Sequence, residues 1–164
     1  MPPAITQAQL RNEISYDSIT GEFKWLRSLR TRKATNRVGS YNQYGYLIIT
    51  VFCRKYAAHR LAWLYMHGEF PNGVIDHIDG NKTNNAIANL RVVTQAINVQ
   101  NRRKAGKAST TGVLGAGWDS RTRSFKSRIQ LGGKSIWLGR FKTAREAHQA
   151  YVSAKRRLHE GNTL

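Results

Sequence analysis

Between Ile75 and Arg102 the chain reads IDHIDGNKTNNAIANLRVVTQAINVQNR, and this stretch limits the possible folds more than any other. Asn81, Asn84, Asn85 and Asn89 crowd its first half, with Asn98 and Asn101 following. Asparagine is a poor interior residue for a helix or a strand, so most of this span cannot be regular structure. The pattern predicts a short apolar strand through Val74, Ile75 and Ile78, a turn-rich loop from Gly80 to Asn85, and a second strand from Leu90 to Val93. Thr94 is a good N-cap, so a helix should start there and carry Asn98 about one turn in. A strand–loop–strand–helix unit of this kind can gather Asp76, His77 and Asn98 although they are far apart in sequence.

The residue types then suggest a chemistry. Neutral imidazole takes a proton from water near pH 7, which makes His77 the candidate base. Asp76 and Asn98 offer hard oxygen donors suited to Mg²⁺ or a similar ion that keeps several waters. Asn89, closing the loop, is placed to orient the imidazole through its amide oxygen. One metal and one base together describe phosphodiester hydrolysis. Taken alone, DHIDGN would signal only a loop, because Asp, Asn and Gly are ordinary turn residues. The ordered sequel, NLRVVT and a helix bearing Asn98, turns the reading towards a site.

The run HRLAWLYMHGEFPNGVIDHIDGNKTNNAIANLRVVTQAINVQN resembles the HNH endonuclease family, in the form found in bacteriophage and intron-encoded homing enzymes. The resemblance implies that Asp76 and Asn98 hold a metal, that His77 is the general base, and that Asn89 orients it. It implies Mg²⁺ or Mn²⁺ as cofactor, 5′-phosphate and 3′-hydroxyl products, and a mobile, phage-associated origin. Asn at the last position marks the H-N-N variant, and an amide oxygen favours these ions over Zn²⁺.

Charge is the strongest signal outside that stretch. Lys and Arg total 27 against 9 Asp and Glu, a formal net charge of +18. Such an excess opposes compact folding unless a polyanion is near, and nucleic acid is the commonest one. A single cysteine, Cys53, excludes an internal disulfide and a multi-thiolate structural zinc site. Neither a signal peptide nor a membrane-length apolar run is visible, so a cytoplasmic protein, in the host cell if phage-encoded, is expected.

Taken in order, TQAQ at residues 6–9 has the form of a capping box, opening a helix through Glu13. ISYDSITGEFKWL reads as two strands around a turn, with Tyr16, Phe23 and Trp25 as packing residues. Leu26 to Arg37 is a basic loop whose Arg27, Arg30, Arg32 and Lys33 are candidates for phosphate contact. GYLIITVF is a buried strand ended by Cys53, read as an inert packing residue. Ala57 to His67 should be a helix stopped by Gly68, with His59 near its start in a structural role. Arg102 and Arg103 open a basic, small-residue linker able to track DNA.

The last third, TTGVLGAGWDSRTRSFKSRIQLGGKSIWLGRF, reads as three short strands, with a tight turn at Gly132 and Gly133. A capping box at Thr143 opens a helix bearing Ala147, Tyr151, Ala154 and Leu158 on one face. The open face of the sheet should carry Arg121, Arg123, Lys126, Arg128, Lys134 and Arg140, with Trp118 and Trp137 interleaved. Arg on such a face can read guanine in the major groove. The pattern GV…W…F.SRI…GK…WLGRF.TA.EA..AY..A resembles the plant ethylene-response-factor (Apetala-type) DNA-binding domain, although LGAGW is less basic than that family's first strand.

The expectation is therefore an α+β chain: a ββα-metal (HNH) nuclease unit plus a small three-stranded antiparallel sheet packed on one helix. The nuclease region should span residues 1–102, with a β-rich part to 56 and the ββα-metal core from 57. Residues 103–110 would link it to a DNA-binding domain at 111–164. The expected partner is double-stranded DNA, with no membrane and no obligate protein partner, the chain acting as a monomer or weak dimer. The competing expectation is an inactive DNA-binding regulator using the same basic faces, and RNA is a weaker alternative substrate.

Overall fold

The computed structural model describes residues 5–28, 38–106 and 108–163. Two compact units divide the chain, the first ending at Gln95 and the second beginning at Ala96.

The first unit opens with helix α1 (Gln7–Glu13), whose capping box joins Thr6 and Gln9 reciprocally. Strands β1 (Ile14–Tyr16) and β2 (Phe23–Trp25) form an antiparallel hairpin. A three-stranded sheet follows: β3 (Ser40–Tyr41), β4 (Leu47–Val51) and β5 (Arg54–Ala57), with β4 in the middle. Helix α2 (Ala58–His67) ends where Gly68 turns left-handed, at φ 87°. Strands β6 (Val74–His77) and β7 (Leu90–Val93) then pair antiparallel, with a 3₁₀ turn at Ile87–Asn89 between them. Leu10, Ile14, Ile49, Leu61, Ile75 and Leu90 join in one buried core. Each such side chain contributes roughly 1.5–3 kcal/mol by leaving water. That core ties both hairpins and two helices to the strand that ends in Asp76 and His77.

The second unit begins in helix α3 (Gln95–Gln100) and contains the sheet β8 (Ala116–Asp119), β9 (Ser124–Leu131) and β10 (Lys134–Phe141), with β9 central. Helix α4 (Ala144–Leu158) is capped by the box expected at Thr143 and Glu146. Ala147 and Ala154 bury its apolar face, and Tyr151 packs so closely on Gly115 that a β-carbon there would lie 2.0 Å from the ring.

The two compact units part after Gln95, the first residue of α3. Gly161 N–H donates to Gln100 Oε1 at 3.1 Å, and the Lys155 ammonium donates to Arg102 O at 2.5 Å, so this stretch is held by the C-terminal helix and tail. Three sequence expectations change here. Arg103, expected on DNA, turns inward and donates to Thr163 O at 2.6 Å. The strand GYLIITVF ends at Val51; Phe52 and Cys53 form an exposed turn, so Cys53 is not a packing residue. Trp118 lies across from Phe125, on the side of β9 that carries buried Ser127 and Ile129 against α4, so it is not on the open face.

Candidate active site

The ββ hairpin of residues 74–93 holds the site because its loop closes on itself through side chains. Asp79 Oδ1 accepts from Asn81 N–H at 2.7 Å and from Asn89 Nδ2 at 3.0 Å, and its Oδ2 accepts from Asn84 Nδ2 at 2.8 Å. Asn89 Oδ1 in turn accepts from Asp79 N–H at 3.0 Å, and its Nδ2 also donates to Asn84 O at 2.9 Å. Local bonds of this kind are what short Asx side chains form in preference to helix or ladder hydrogen bonds. Burial pushes the Asp79 carboxyl up, yet the bonds from Asn84, Asn81 and Asn89 outweigh it and leave it below its ordinary value.

The loop is also braced from the amino-terminal hairpin. Tyr16 Oη donates to Asn85 O at 2.7 Å, and Ile87 N–H donates to Ser18 O at 3.1 Å. Gly21, at φ 75°, sits so close that a β-carbon would lie 2.3 Å from Ala86 N. Only glycine tolerates both that approach and that backbone conformation.

Asp76 and His77 end β6 and are both buried. Asp76 Oδ2 accepts two bonds from Arg91, at 3.0 Å from Nε and 2.8 Å from Nη2, across the β6–β7 ladder. His77 Nε2 lies 3.5 Å from Asn85 Oδ1. When that nitrogen carries the ring proton, the lone pair is left on Nδ1, the arrangement a base needs. Burial pushes the His77 imidazole below its ordinary value, against the raising influence of Asn85, Asp79 and Asp76. Neutral imidazole therefore persists to lower pH than usual.

His59, Tyr46 and Lys82 complete this neighbourhood. The His59 ring meets His77 edge-on, with centroids 5.2 Å apart, and Tyr46 lies 5.3 Å from His59 and 6.0 Å from His77. Lys82 Nζ sits 4.7 Å over the Tyr46 ring. Burial, then His77 and Arg60, push His59 down to about 4, so it is neutral beside the candidate base.

The sequence-predicted residues are thus only partly gathered. Asp76 and His77 are adjacent as expected. Asn89 directs its side chain to Asp79 and Asn84, fixing the loop, and the amide oxygen at the imidazole belongs to Asn85. Asn98 lies on α3 in the second unit. Asn85 and Arg91 escaped sequence reasoning, and His59, expected in a structural role, packs beside His77; for Arg91 the alternation of β7, which places it opposite Asp76, carried a usable signal.

The donor chemistry fits a hard divalent cation. No three His, Cys, Asp or Glu side chains that could hold a metal converge among the described residues, and the hard oxygen donor at the site is the Asp76 carboxylate. Ions of the Mg²⁺ and Mn²⁺ type, which keep several waters, suit so few protein ligands.

The family described as HNH endonuclease matches residues 56–100. Protein 3.8 of Escherichia phage T7 is 31% identical over 107 residues, 57% of this chain and 86% of that protein. The chain belongs to the HNH endonuclease family. The DNA endonuclease I-HmuI of Bacillus phage SP01 is 38% identical over 90 residues, 54% of this chain and 51% of the relative. A solved structure of I-HmuI, described as DNA binding and cleavage by an HNH homing endonuclease, aligns with a TM-score of 0.42 and 33% identity. That alignment covers 54% of this chain and 51% of the solved one, so the chain spans about half the length of I-HmuI.

On the second unit, antiparallel register sets which cations share the open face. Lys126 pairs with Gly117 and Arg140, and Arg128 pairs with Trp137. All four side chains point away from buried Ser127 and Ile129, and Arg140 lies 5.5 Å over the Trp137 ring. A cavity of about 240 Å³ opens on this side, lined by Gly115, Ala116, Gly117, Lys126 and Arg128. Arg121 and Arg123 are exposed in the β8–β9 turn, and Lys134 is exposed beside the β9–β10 turn. Arg27 and Arg102 are exposed elsewhere, whereas Arg30, Arg32 and Lys33 lie outside the described residues. No described helix is long and apolar enough to cross a membrane.

Proposed function

We propose that the chain is a Mg²⁺- or Mn²⁺-dependent endonuclease that hydrolyses phosphodiester bonds in duplex DNA, of the homing type. The observation that carries this reading is the buried Asp76–His77 pair at the end of β6, on a loop locked by Asp79 and Asn89 within the family match. His77 takes a proton from water, whose oxygen bonds to phosphorus as the bond to the 3′ oxygen breaks. The 3′ oxygen leaves with the electrons of that bond and takes a proton from solvent water, and the 5′-phosphate stays on the other fragment. In this reading Asp76 and Asn98 would hold the metal, which would supply neutralisation of the charge building on the phosphate and leaving oxygen. Asn89 keeps the loop in the conformation that presents His77.

The basic face of the second unit supplies binding, in the manner of the Apetala-type domain its sequence resembles. Lys126, Arg128 and Arg140 with Trp137 form a stripe able to follow a groove, and Arg121 and Arg123 extend it at the β8–β9 turn, whereas Lys134, expected on this face, pairs with Leu131 and so lies on the helix side of the sheet. In this reading the protein works as a monomer or weak dimer in the cytoplasm of a host cell, nicking one strand per visit.

One observation favours a second reading, a regulator that binds DNA without cutting it. The Arg91 guanidinium already neutralises the Asp76 carboxylate at 2.8 Å, as a metal would. Incubating supercoiled plasmid with the protein and Mg²⁺, Mn²⁺ or EDTA decides between the two. Metal-dependent nicked or linear product, lost by about 10²–10⁴-fold in His77→Ala while DNA is still shifted on a gel, supports the nuclease. Tight binding with no cutting of plasmid or source-genome DNA in either metal rejects it for the regulator.

A further inference from the structure

The β4–β5 hairpin is closed by Phe52 and Cys53, with φ of 48° and 59°. A two-residue turn with both φ values positive suits the twist of the flanking strands, and it normally carries Asn-Gly because a β-carbon strains that conformation. Here the first position holds one of the bulkiest side chains available. Phe52 is also 57% exposed, so its ring does not repay that strain by filling the core. The needs of the fold do not account for this residue.

Its surroundings suggest what does. Lys55 is exposed beside the tip, directly across from exposed Thr50, and Arg54 begins β5. From Tyr41 to Gly68 the sequence holds no acidic residue. The other end of the hairpin abuts the candidate site, where Tyr46 precedes β4 and His59 follows β5, both packed against the His77 neighbourhood. Phe52 is therefore the tip of an arm rooted at the site. The five residues of β4 extend roughly 17 Å, at about 3.4 Å per residue. A duplex rises about 3.4 Å per base pair, so the arm spans about five pairs.

We propose that Phe52 is a DNA wedge: on bound duplex its ring inserts at a base-pair step about five pairs from the phosphate held at His77, while Lys55 takes a neighbouring phosphate. Apolar side chains presented this way unstack a step and kink the duplex, which lets more of a basic surface reach the backbone. The inference rests on the DNA-binding reading above and adds to it a deformation site outside the family match at residues 56–100.

The test is unwinding of closed circular plasmid by the full chain in EDTA. A metal-independent type I topoisomerase relaxes the DNA, and gel shift measures occupancy. Wild type should lower the linking number in proportion to bound protein. Phe52→Ala should lose at least two thirds of that change at equal occupancy, and Phe52→Trp should keep it. The double variant Phe52→Asn with Cys53→Gly gives the turn its preferred pair, so it should melt at or above the wild-type temperature yet unwind no better than Phe52→Ala. A wild type that binds without unwinding, or variants that unwind as it does, overturns the wedge alone. Failure of the wild type to bind plasmid at all overturns the DNA-binding reading and the wedge with it.

Discussion

The two units use their polar residues in opposite ways. In the first, Asp76, His77 and Asn85 are buried, and the Asn-rich loop beside them is bound to itself by side-chain hydrogen bonds. In the second, Arg128, Arg140 and Trp137 stand exposed on a sheet whose other side packs on a helix. Chemistry needs groups fixed to a fraction of an ångström, which requires burial and many bonds. Attraction to a phosphate backbone needs only cations in roughly the right places. The separation can be broken by experiment, because each unit should fail in its own way.

Among changes that leave the candidate base in place, the largest effect is expected at Asn89. Its side chain makes three bonds, to Asp79 N–H, Asp79 Oδ1 and Asn84 O. Removing them in Asn89→Ala should cost about 1–3 kcal/mol in urea denaturation. Loosening the loop should lower single-turnover cleavage by on the order of 100-fold, since a small misplacement of the base is enough. DNA affinity should stay within about threefold, because no cation of the open face is touched. A variant that loses affinity instead of rate would show that the two roles are not divided this way.

The complementary change is Arg128→Ala with Arg140→Ala on the open face. If this face follows the phosphate backbone as proposed, removing two of its cations should reduce the slope of log affinity against log salt by about 1–2. Affinity at moderate salt should fall about 10–100-fold, with single-turnover rate at saturating protein unchanged. Titrations of duplex DNA at several salt concentrations measure both. An unchanged slope would remove this face from the interface and leave the exposed Arg27, Arg121 and Arg123 to be tested in its place.

How much of this was legible in the sequence follows the same division. The β6–loop–β7 hairpin could be read because its Asp-Gly and Asn residues are strong turn formers between two apolar runs. The capping boxes at Thr6 and Thr143 announced their helices for a similarly local reason. What depended on pairing between distant segments was harder to see. Asn85 reaches His77 only because Tyr16 and Gly21, far back in the chain, press on the loop. Trp118 was assigned to the wrong face because sheet faces alternate residue by residue, so a one-residue offset reverses a side chain. The Phe52–Cys53 turn was missed for the opposite reason. Its residue types deny the turn that the backbone makes there, so VFC continued to read as strand.

The smallest expected effect concerns Lys155, whose handling contrasts with the paired Arg91 of the first unit. Its ammonium is fully buried and donates to Arg102 O, where Arg91 faces the Asp76 carboxylate. Burial, with Arg103 nearby, pushes Lys155 down from 10.5 to about 8. Below about pH 8 the folded and unfolded chains both carry this proton, and the cost of burying the charge is present in full. Between about 8 and 10.5 the unfolded chain binds more protons than the folded one, so this contribution makes stability rise with pH. The gain should be on the order of 1–2 kcal/mol. Lys155→Met should remove that rise, because a thioether of similar length carries no proton to lose. Urea denaturation of both proteins at pH 7 and pH 9.5, followed through Trp118 and Trp137 fluorescence, measures the difference. Equal pH dependence in the two would mean that water reaches the ammonium, and that α4 holds the 96–103 segment by packing and its remaining hydrogen bonds rather than by a desolvated charge.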